Sequence, residues 1–135
     1  MELPVRLSKE SRIPIYHQIT AQIQALIASG QLSSGSPLPS IRMLSKDLEV
    51  SAITTRRAYQ DLETEGFITT IQGKGTFVAD VEESLLRSVK IKSVQEAMKN
   101  SIEAALQQNY SFKEIEEIFT GLIEELKTEK GEGKP

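Results

Sequence analysis

The segment from Pro39 to Val78 constrains the fold of this chain most, because two amphipathic helix patterns in it are followed directly by two short strand patterns. Ser40 is placed to cap a short first helix, and Ser51 is placed to cap a longer second one, each by accepting a backbone N–H of the first turn. The connection Glu49–Val50 leaves room only for a tight turn between them. Gly66 ends the second helix, because glycine readily adopts the left-handed conformation that follows many helices. The apolar residues of the first helix recur at helical spacing: Ile41, Leu44 and Leu48.

The second helix has two chemically different faces when its residues are placed at about 100° per residue. One face is predicted to pack in the core: Thr55, Ala58, Tyr59 and Leu62. The opposite face carries two guanidinium groups, an amide and an aliphatic side chain: Arg56, Arg57, Gln60 and Ile53. Guanidinium and amide groups bind base edges or phosphates, and an aliphatic carbon contacts the thymine methyl group. The two helices therefore indicate a helix-turn-helix that presents its second helix to DNA. For Arg57 two interpretations remain, a phosphate contact or a pairing with Asp61 four residues later.

A β-hairpin is predicted immediately after the second helix. The runs Phe67–Ile71 and Thr76–Val78 are rich in β-branched and aromatic residues, which favours strands. The loop Gln72–Gly75 between them has two glycines, which permit positive φ, and Lys74 at its tip. A hairpin in this position is a wing, and its lysine is suited to a phosphate or a minor groove.

These residues resemble the DNA-binding domain of the GntR family of bacterial transcription regulators. The resemblance extends from Ile13 to Ala79, and the residues that carry it are Leu38-Pro39-Ser40, Arg42, Val50-Ser51, Arg56, Leu62, Glu65-Gly66 and Gly73–Val78. It implies a winged helix-turn-helix that binds palindromic operators as a homodimer. The DNA-binding positions it implies in this chain are Arg42, Ser51, Ala52, Ile53, Thr54, Arg56, Gly73, Lys74 and Gly75.

The chain departs from the family pattern at the start of the second helix. Many members carry arginine or asparagine where this chain has Ala52 and Ile53. The resemblance together with this departure predicts an operator preference shifted toward apolar contact with thymine.

Composition excludes several functional classes. The chain has no cysteine and a single histidine, His17, so neither a thiolate or histidine metal cluster nor a catalytic triad is available. No apolar run reaches membrane-spanning length, and the N-terminal sequence has no signal-peptide pattern. We therefore expect a cytoplasmic protein that is not an enzyme, has no cofactor and no membrane partner. The net charge of −3 does not argue against DNA binding, because local charge sets the steering field.

Before the helix-turn-helix, the sequence predicts an arm and one supporting helix. Residues 1–13 mix charges with Pro4 and show no period, so we expect an extended arm. A helix is expected from Pro14, with Gly30 closing it. Its apolar stripe consists of Ile15, Ile19, Ile23 and Leu26 or Ile27.

The region after residue 80 is predicted to be helical and to mediate dimerisation. Residues 82–108 form either one helix, which we favour, or two with a break near Lys90–Ser93. Ser111 and Glu114 form a capping-box pattern at the start of a last helix, and the charged tail 129–135 is expected to be disordered. Two isolated amphipathic helices cannot bury their apolar stripes alone, so they either fold back on the winged domain or, as we favour, pair with the same helices of a second copy. The residues predicted at that dimer interface are Leu85, Val89, Val94, Met98, Ile102, Leu106, Ile115, Phe119, Leu122 and Leu126.

The predicted fold class is mainly α with a small β-hairpin. Residues 1–80 form a winged helix-turn-helix DNA-binding domain, and residues 81–128 form a two-helix dimerisation region. This short C-terminal region is similar to that of the YtrA-like branch of the GntR family, whose members are often linked to transporter operons. The expected function is a transcription regulator, and we favour a repressor, that binds a palindromic operator in double-stranded DNA as a homodimer; the sequence does not identify an effector ligand. The alternative is a winged-helix module that binds proteins without specific DNA binding.

Overall fold

The computed structural model describes residues 3–131, which form five α-helices and three short strands in two compact units. The helices are α1 (Ile15–Ala28), α2 (Ile41–Leu48), α3 (Ala52–Thr64), α4 (Glu83–Gln107) and α5 (Phe112–Lys130). The strands are β1 (Pro37–Leu38), β2 (Ile68–Ile71) and β3 (Gly75–Val78). The first unit ends at Ser93 and the second begins at Val94, so α4 contributes to both. The predicted fold class, mainly helical with a small hairpin, is confirmed.

The core of the first unit lies between α1, α2, α3 and the sheet. Helix α1 begins directly after Pro14, and Gly30 follows its end with a φ of 88°, as the sequence predicts. Both Leu26 and Ile27, between which the sequence did not decide, are buried. The least exposed large side chains of this core come from α1, α2, α3 and the residue before β2: Ile19, Ile23, Leu44, Leu62 and Phe67.

The sheet contains a strand that the sequence pattern did not indicate. Strand β3 is central, with β2 on one side and β1 on the other, and both pairings are antiparallel. In β1, Pro37 lies opposite Phe77 and Leu38 opposite Thr76. The sequence does not indicate this strand, because two residues are too few to show an alternating pattern. A proline is accommodated here because an edge strand leaves one row of N–H groups unpaired.

The N-terminal arm packs against α1. The side-chain amide of Gln22 accepts the Arg6 N–H at 2.9 Å and donates to the Arg6 carbonyl at 2.7 Å. Gln18 accepts the Ser8 N–H at 2.8 Å and donates to the Ser8 carbonyl at 2.9 Å. Two apolar residues of the arm are buried: Leu3 and Val5. The arm is therefore part of the first unit, held by backbone hydrogen bonds to two glutamines that the sequence pattern did not single out.

Helix α4 is one continuous helix with two different apolar faces. The alternative break near Lys90–Ser93 is absent, because these residues lie inside α4. Its first turns pack against the core of the first unit through Leu85, Leu86 and Val89. Met98 lies nine residues beyond Val89, which places it about 180° around the helix. The first compact unit extends to Ser93, and the partly buried Leu85 and Val89 have contacts within their own chain. The predicted division into a DNA-binding domain 1–80 and a dimerisation region 81–128 stays a prediction.

The second unit contains the remainder of α4 and all of α5. Asn109 takes a positive φ of 68° in the turn, a conformation that asparagine tolerates. The predicted capping box is present, because the Ser111 N–H donates to Glu114 at 2.8 Å and the Glu114 N–H donates to the Ser111 hydroxyl at 3.1 Å. Helix α5 includes Glu129 and Lys130, which belong to the tail 129–135 that the sequence predicts to be disordered. Residues 132–135 of this tail lie outside the described residues.

One face of α5 is apolar and exposed to solvent. Ile115 is buried and Phe119 is half-buried. Four further apolar side chains of this helix are 45–52% exposed: Ile118, Leu122, Ile123 and Leu126. Among the described residues, none of the helices combines the length and apolar character needed to cross a membrane.

Candidate nucleic-acid interface

Helices α2 and α3 are joined by a tight turn whose geometry is set by local hydrogen bonds. The Ser40 hydroxyl accepts the Met43 N–H at 3.0 Å and so caps α2. Glu49 ends α2 in the left-handed conformation, with a φ of 57°. Across the turn, the Ser45 hydroxyl donates to the Thr55 hydroxyl at 2.8 Å in a buried position. This buried contact fixes the angle between the two helices, because an unpaired hydroxyl would be costly there.

The buried face of α3 is the one that the helical wheel predicts. Thr55, Ala58, Tyr59 and Leu62 are at most 5% exposed. The Tyr59 hydroxyl donates to the Pro39 carbonyl at 2.6 Å, which ties α3 to the residue that precedes the N-cap of α2. Burial raises the pKa of Tyr59, so the phenol stays protonated and remains a donor.

The opposite face of α3 is open to solvent, as are the other predicted DNA-binding positions. On α3 the exposed side chains are Ile53, Arg56, Arg57 and Gln60, and Ala52 and the capping Ser51 are exposed as well. Thr54 is half-buried. Arg42 on α2 is exposed, and so are Gly73, Lys74 and Gly75 in the loop between β2 and β3. The structure therefore leaves these positions accessible on three neighbouring elements of one unit, and their contact with DNA stays a prediction.

Arg57 has a partner inside the protein. Its guanidinium carbon lies 3.9 Å from the ring centroid of Tyr16 on α1, which is a cation–π arrangement. His17 packs edge-on against the same ring, with centroids 6.5 Å apart. Neither of the two predicted interpretations of Arg57 included this contact. The contact depends on how α1 crosses α3, and no sequence spacing indicates it.

We predict that Arg57→Ala lowers stability, whereas Arg56→Ala does not. Loss of the contact with Tyr16 should reduce the free energy of unfolding by about 0.5–1 kcal/mol, since this is the usual strength of an exposed cation–π pair. Urea denaturation of Arg57→Ala, Tyr16→Leu and the double variant measures the coupling energy directly. Strictly additive effects of the two substitutions would contradict the assignment.

The wing, formed by β2, β3 and the loop between them, is connected to α3 by a side-chain contact. The Glu63 carboxylate on α3 accepts the Thr70 N–H of β2 at 3.3 Å. At the tip, Ile71 lies opposite Gly75, and the Lys74 N–H donates to the Ile71 carbonyl at 2.9 Å. Gly73 and Gly75 take φ values of 80° and 119°, which an L side chain rarely adopts. The turn therefore requires its glycines and presents Lys74 at its end.

The cations of the predicted DNA-binding positions are not neutralised by carboxylates. In the described range 3–131, the ion pairs are Glu83–Arg87 at 3.3 Å and Glu124–Lys127 at 3.7 Å, both within the C-terminal helices. Arg42, Arg56 and Lys74 are in neither pair, so their charge is available to an anionic ligand. These exposed cations are available although the whole chain carries a net charge of −3.

Two helices joined by a tight turn, in which Glu49 takes the left-handed conformation, with a hairpin directly after the second helix, define a winged helix-turn-helix. Residues 15–78 match the family model for bacterial regulatory proteins of the gntR family. The chain is 31% identical to the HTH-type transcriptional repressor YtrA of Bacillus subtilis (strain 168), over 84% of this chain and 85% of that protein.

Two solved structures extend this likeness to the C-terminal helices. A GntR family transcriptional regulator from Listeria monocytogenes has a TM-score of 0.61 and 26% identity, covering 83% of this chain and 97% of that one. YtrA from Sulfolobus acidocaldarius, a GntR-family transcription factor, has a TM-score of 0.52 and 35% identity, covering 90% and 97%. The chain belongs to the GntR family. It is a DNA-binding transcription regulator and not an enzyme, which confirms the prediction from sequence.

Proposed function

We infer that this protein is a repressor that binds a palindromic operator as a homodimer. The observation that carries this inference is that α3 has one buried face and one exposed face. Its core side chains are almost completely buried, while Ile53, Arg56 and Gln60 have no role in the core and remain exposed. A helix with this division, supported by a second helix and a wing, is suited to lie in the major groove.

Within the groove, each exposed group has a chemical role. Arg56 donates two parallel hydrogen bonds to a guanine edge, and Gln60 pairs with an adenine edge. Arg42 and the wing residue Lys74 bind phosphates, which fixes the register of the helix without reading sequence. Ser51 and Thr54 lie at the start of α3, where their hydrogen-bonded hydroxyls hold the first turn of the helix that enters the groove.

Dimerisation is supported by the exposed apolar surface of the second unit. On α5, Ile118, Leu122 and Leu126 are each close to half exposed although they follow one another at intervals of four residues. On α4, Val94 and Met98 are 49% and 58% exposed. A continuous apolar stripe of this kind is unusual on a monomer, and a second copy of the same stripe covers it symmetrically. The half-buried Ile102, Leu106 and Phe119 and the buried Ile115 belong to the same proposed interface.

A homodimer binds two half-sites related by a two-fold axis, spaced by about one helical turn of DNA, roughly 34–36 Å, or a multiple of it. Repression follows when such an operator overlaps a promoter, and the name of the Bacillus subtilis relative supports this direction. We also propose that this repressor controls a transporter operon, as the resemblance to the YtrA-like branch implies. The site of action is the cytoplasm, where bacterial DNA lies.

Selection of bound fragments from random DNA tests the proposal, because it yields the half-site sequence and the spacing together. We expect a two-fold symmetric sequence. Binding should weaken with salt, with a log–log slope of about −0.9 for each phosphate contact. DNA with a single half-site should bind more weakly than the complete operator. Selection of an asymmetric site bound by one subunit, or a flat salt response, would contradict the proposal and favour the protein-binding alternative.

A further inference from the structure

Ile53 is the most exposed large apolar side chain among the residues described, at 76%. It lies in the first turn of α3, on the side opposite the core residue Ala58. A β-branched side chain in a helix gains nothing from this position, because it loses rotamer freedom and buries no area. The fold alone gives no reason for isoleucine here.

The polar side chains around Ile53 are already engaged. The Ser51 hydroxyl caps α3 by accepting the Thr54 N–H at 3.1 Å, and it lies 2.8 Å from the Thr54 hydroxyl, so these two hydroxyls are hydrogen-bonded to each other. Ala52 offers only a methyl group. The first turn of α3 therefore presents an apolar surface, whereas the free hydrogen-bonding groups begin one turn later, at Arg56.

We propose that Ile53, assisted by Ala52, selects an A·T pair in each half-site by contacting the 5-methyl group of its thymine. This proposal rests on the operator binding inferred above. Thymine is the base that places a methyl group in the major groove, so an apolar side chain gains contact area against it. Against a G·C pair the same side chain covers the cytosine amino group or the guanine oxygen without pairing it, which is unfavourable.

Replacement of thymine by deoxyuridine tests this proposal, because it removes the methyl group and leaves the hydrogen-bonding edge unchanged. In the selected operator, each symmetric pair of thymines is replaced in turn, and the dissociation constant is measured by fluorescence anisotropy. For one pair we expect binding to weaken about fourfold per half-site, the value of one buried methyl group. Ile53→Ala should bind the thymine operator more weakly and lose this sensitivity, so that both DNAs bind equally.

Met43→Ala is the matched control, because Met43 is an exposed apolar side chain, 50% exposed, on the neighbouring helix α2. This variant should keep the deoxyuridine sensitivity of the unaltered protein. A symmetric operator that tolerates deoxyuridine at every position, or an Ile53→Ala variant that stays sensitive at the same position, would overturn the thymine contact and leave the operator inference intact. Absence of any selected DNA would overturn both.

Discussion

Arg56→Ala is expected to abolish specific operator binding without lowering the thermal stability of the protein. Arg56 is exposed on α3 and is in neither ion pair of residues 3–131, so the fold does not depend on it. Each bidentate contact of an arginine with guanine is worth about 1–3 kcal/mol, and a dimer loses two of them. The dissociation constant should therefore rise roughly 30-fold or more.

Competition with random DNA distinguishes the two contacts that Arg56 is able to make. A lost base contact removes the preference for the operator, whereas a lost phosphate contact weakens both DNAs equally and lowers the salt slope by about one. Arg87→Ala is the control, because Arg87 is an exposed arginine on α4, outside the helix-turn-helix and the wing. Operator binding by Arg56→Ala that equals that of the unaltered protein would refute the assignment of this residue.

Leu122→Glu is expected to convert the dimer into monomers and thereby to weaken operator binding. Leu122 is 47% exposed in the single chain, so a carboxylate is tolerated there in the monomer. At a two-fold interface the substitution removes two leucines, each worth about 1.5–3 kcal/mol when buried, and adds two carboxylates. The dimer dissociation constant should rise roughly 100-fold or more. Sedimentation equilibrium measures this change directly.

Thr120→Glu adds the same charge on the other side of α5. Thr120 is two residues from Leu122, which is about 200° around the helix, and it is exposed. This control should remain dimeric and bind the operator normally. Circular dichroism should show equal helical content for both variants. If Leu122→Glu remains dimeric, the apolar face of α5 is not the interface; if the unaltered protein is a monomer with full operator affinity, no dimer is needed.

The helix-turn-helix was predictable from sequence because its signals are local. The Ser40 and Ser51 caps, Gly66 after α3 and the two-residue turn each act within a few residues. The buried face of α3 was predictable for the same reason, since a helical period fixes which side chains share a face. The capping box at Ser111 is a third case.

Features that depend on contacts between distant segments were not predictable. Strand β1 exists because Pro37 and Leu38 meet β3, and its own two residues carry no strand pattern. The packing of α4 was also not predictable. The sequence shows apolar residues along the whole helix, but it does not indicate which of them pack against the core of the first unit. For Leu85 and Val89 the sequence predicts dimerisation but does not indicate that they also pack against the core of their own chain.

The sequence by itself determined the helices of the helix-turn-helix, its hairpin and which face of α3 stays exposed, because capping and helical periodicity depend on neighbouring residues. The tertiary structure alone decided that Arg57 stacks on Tyr16 and that Glu63 holds the wing, since both contacts need helices and strands already packed. It also decided where the first unit ends. The physical reason is that packing brings together residues whose separation in sequence carries no signal of their contact.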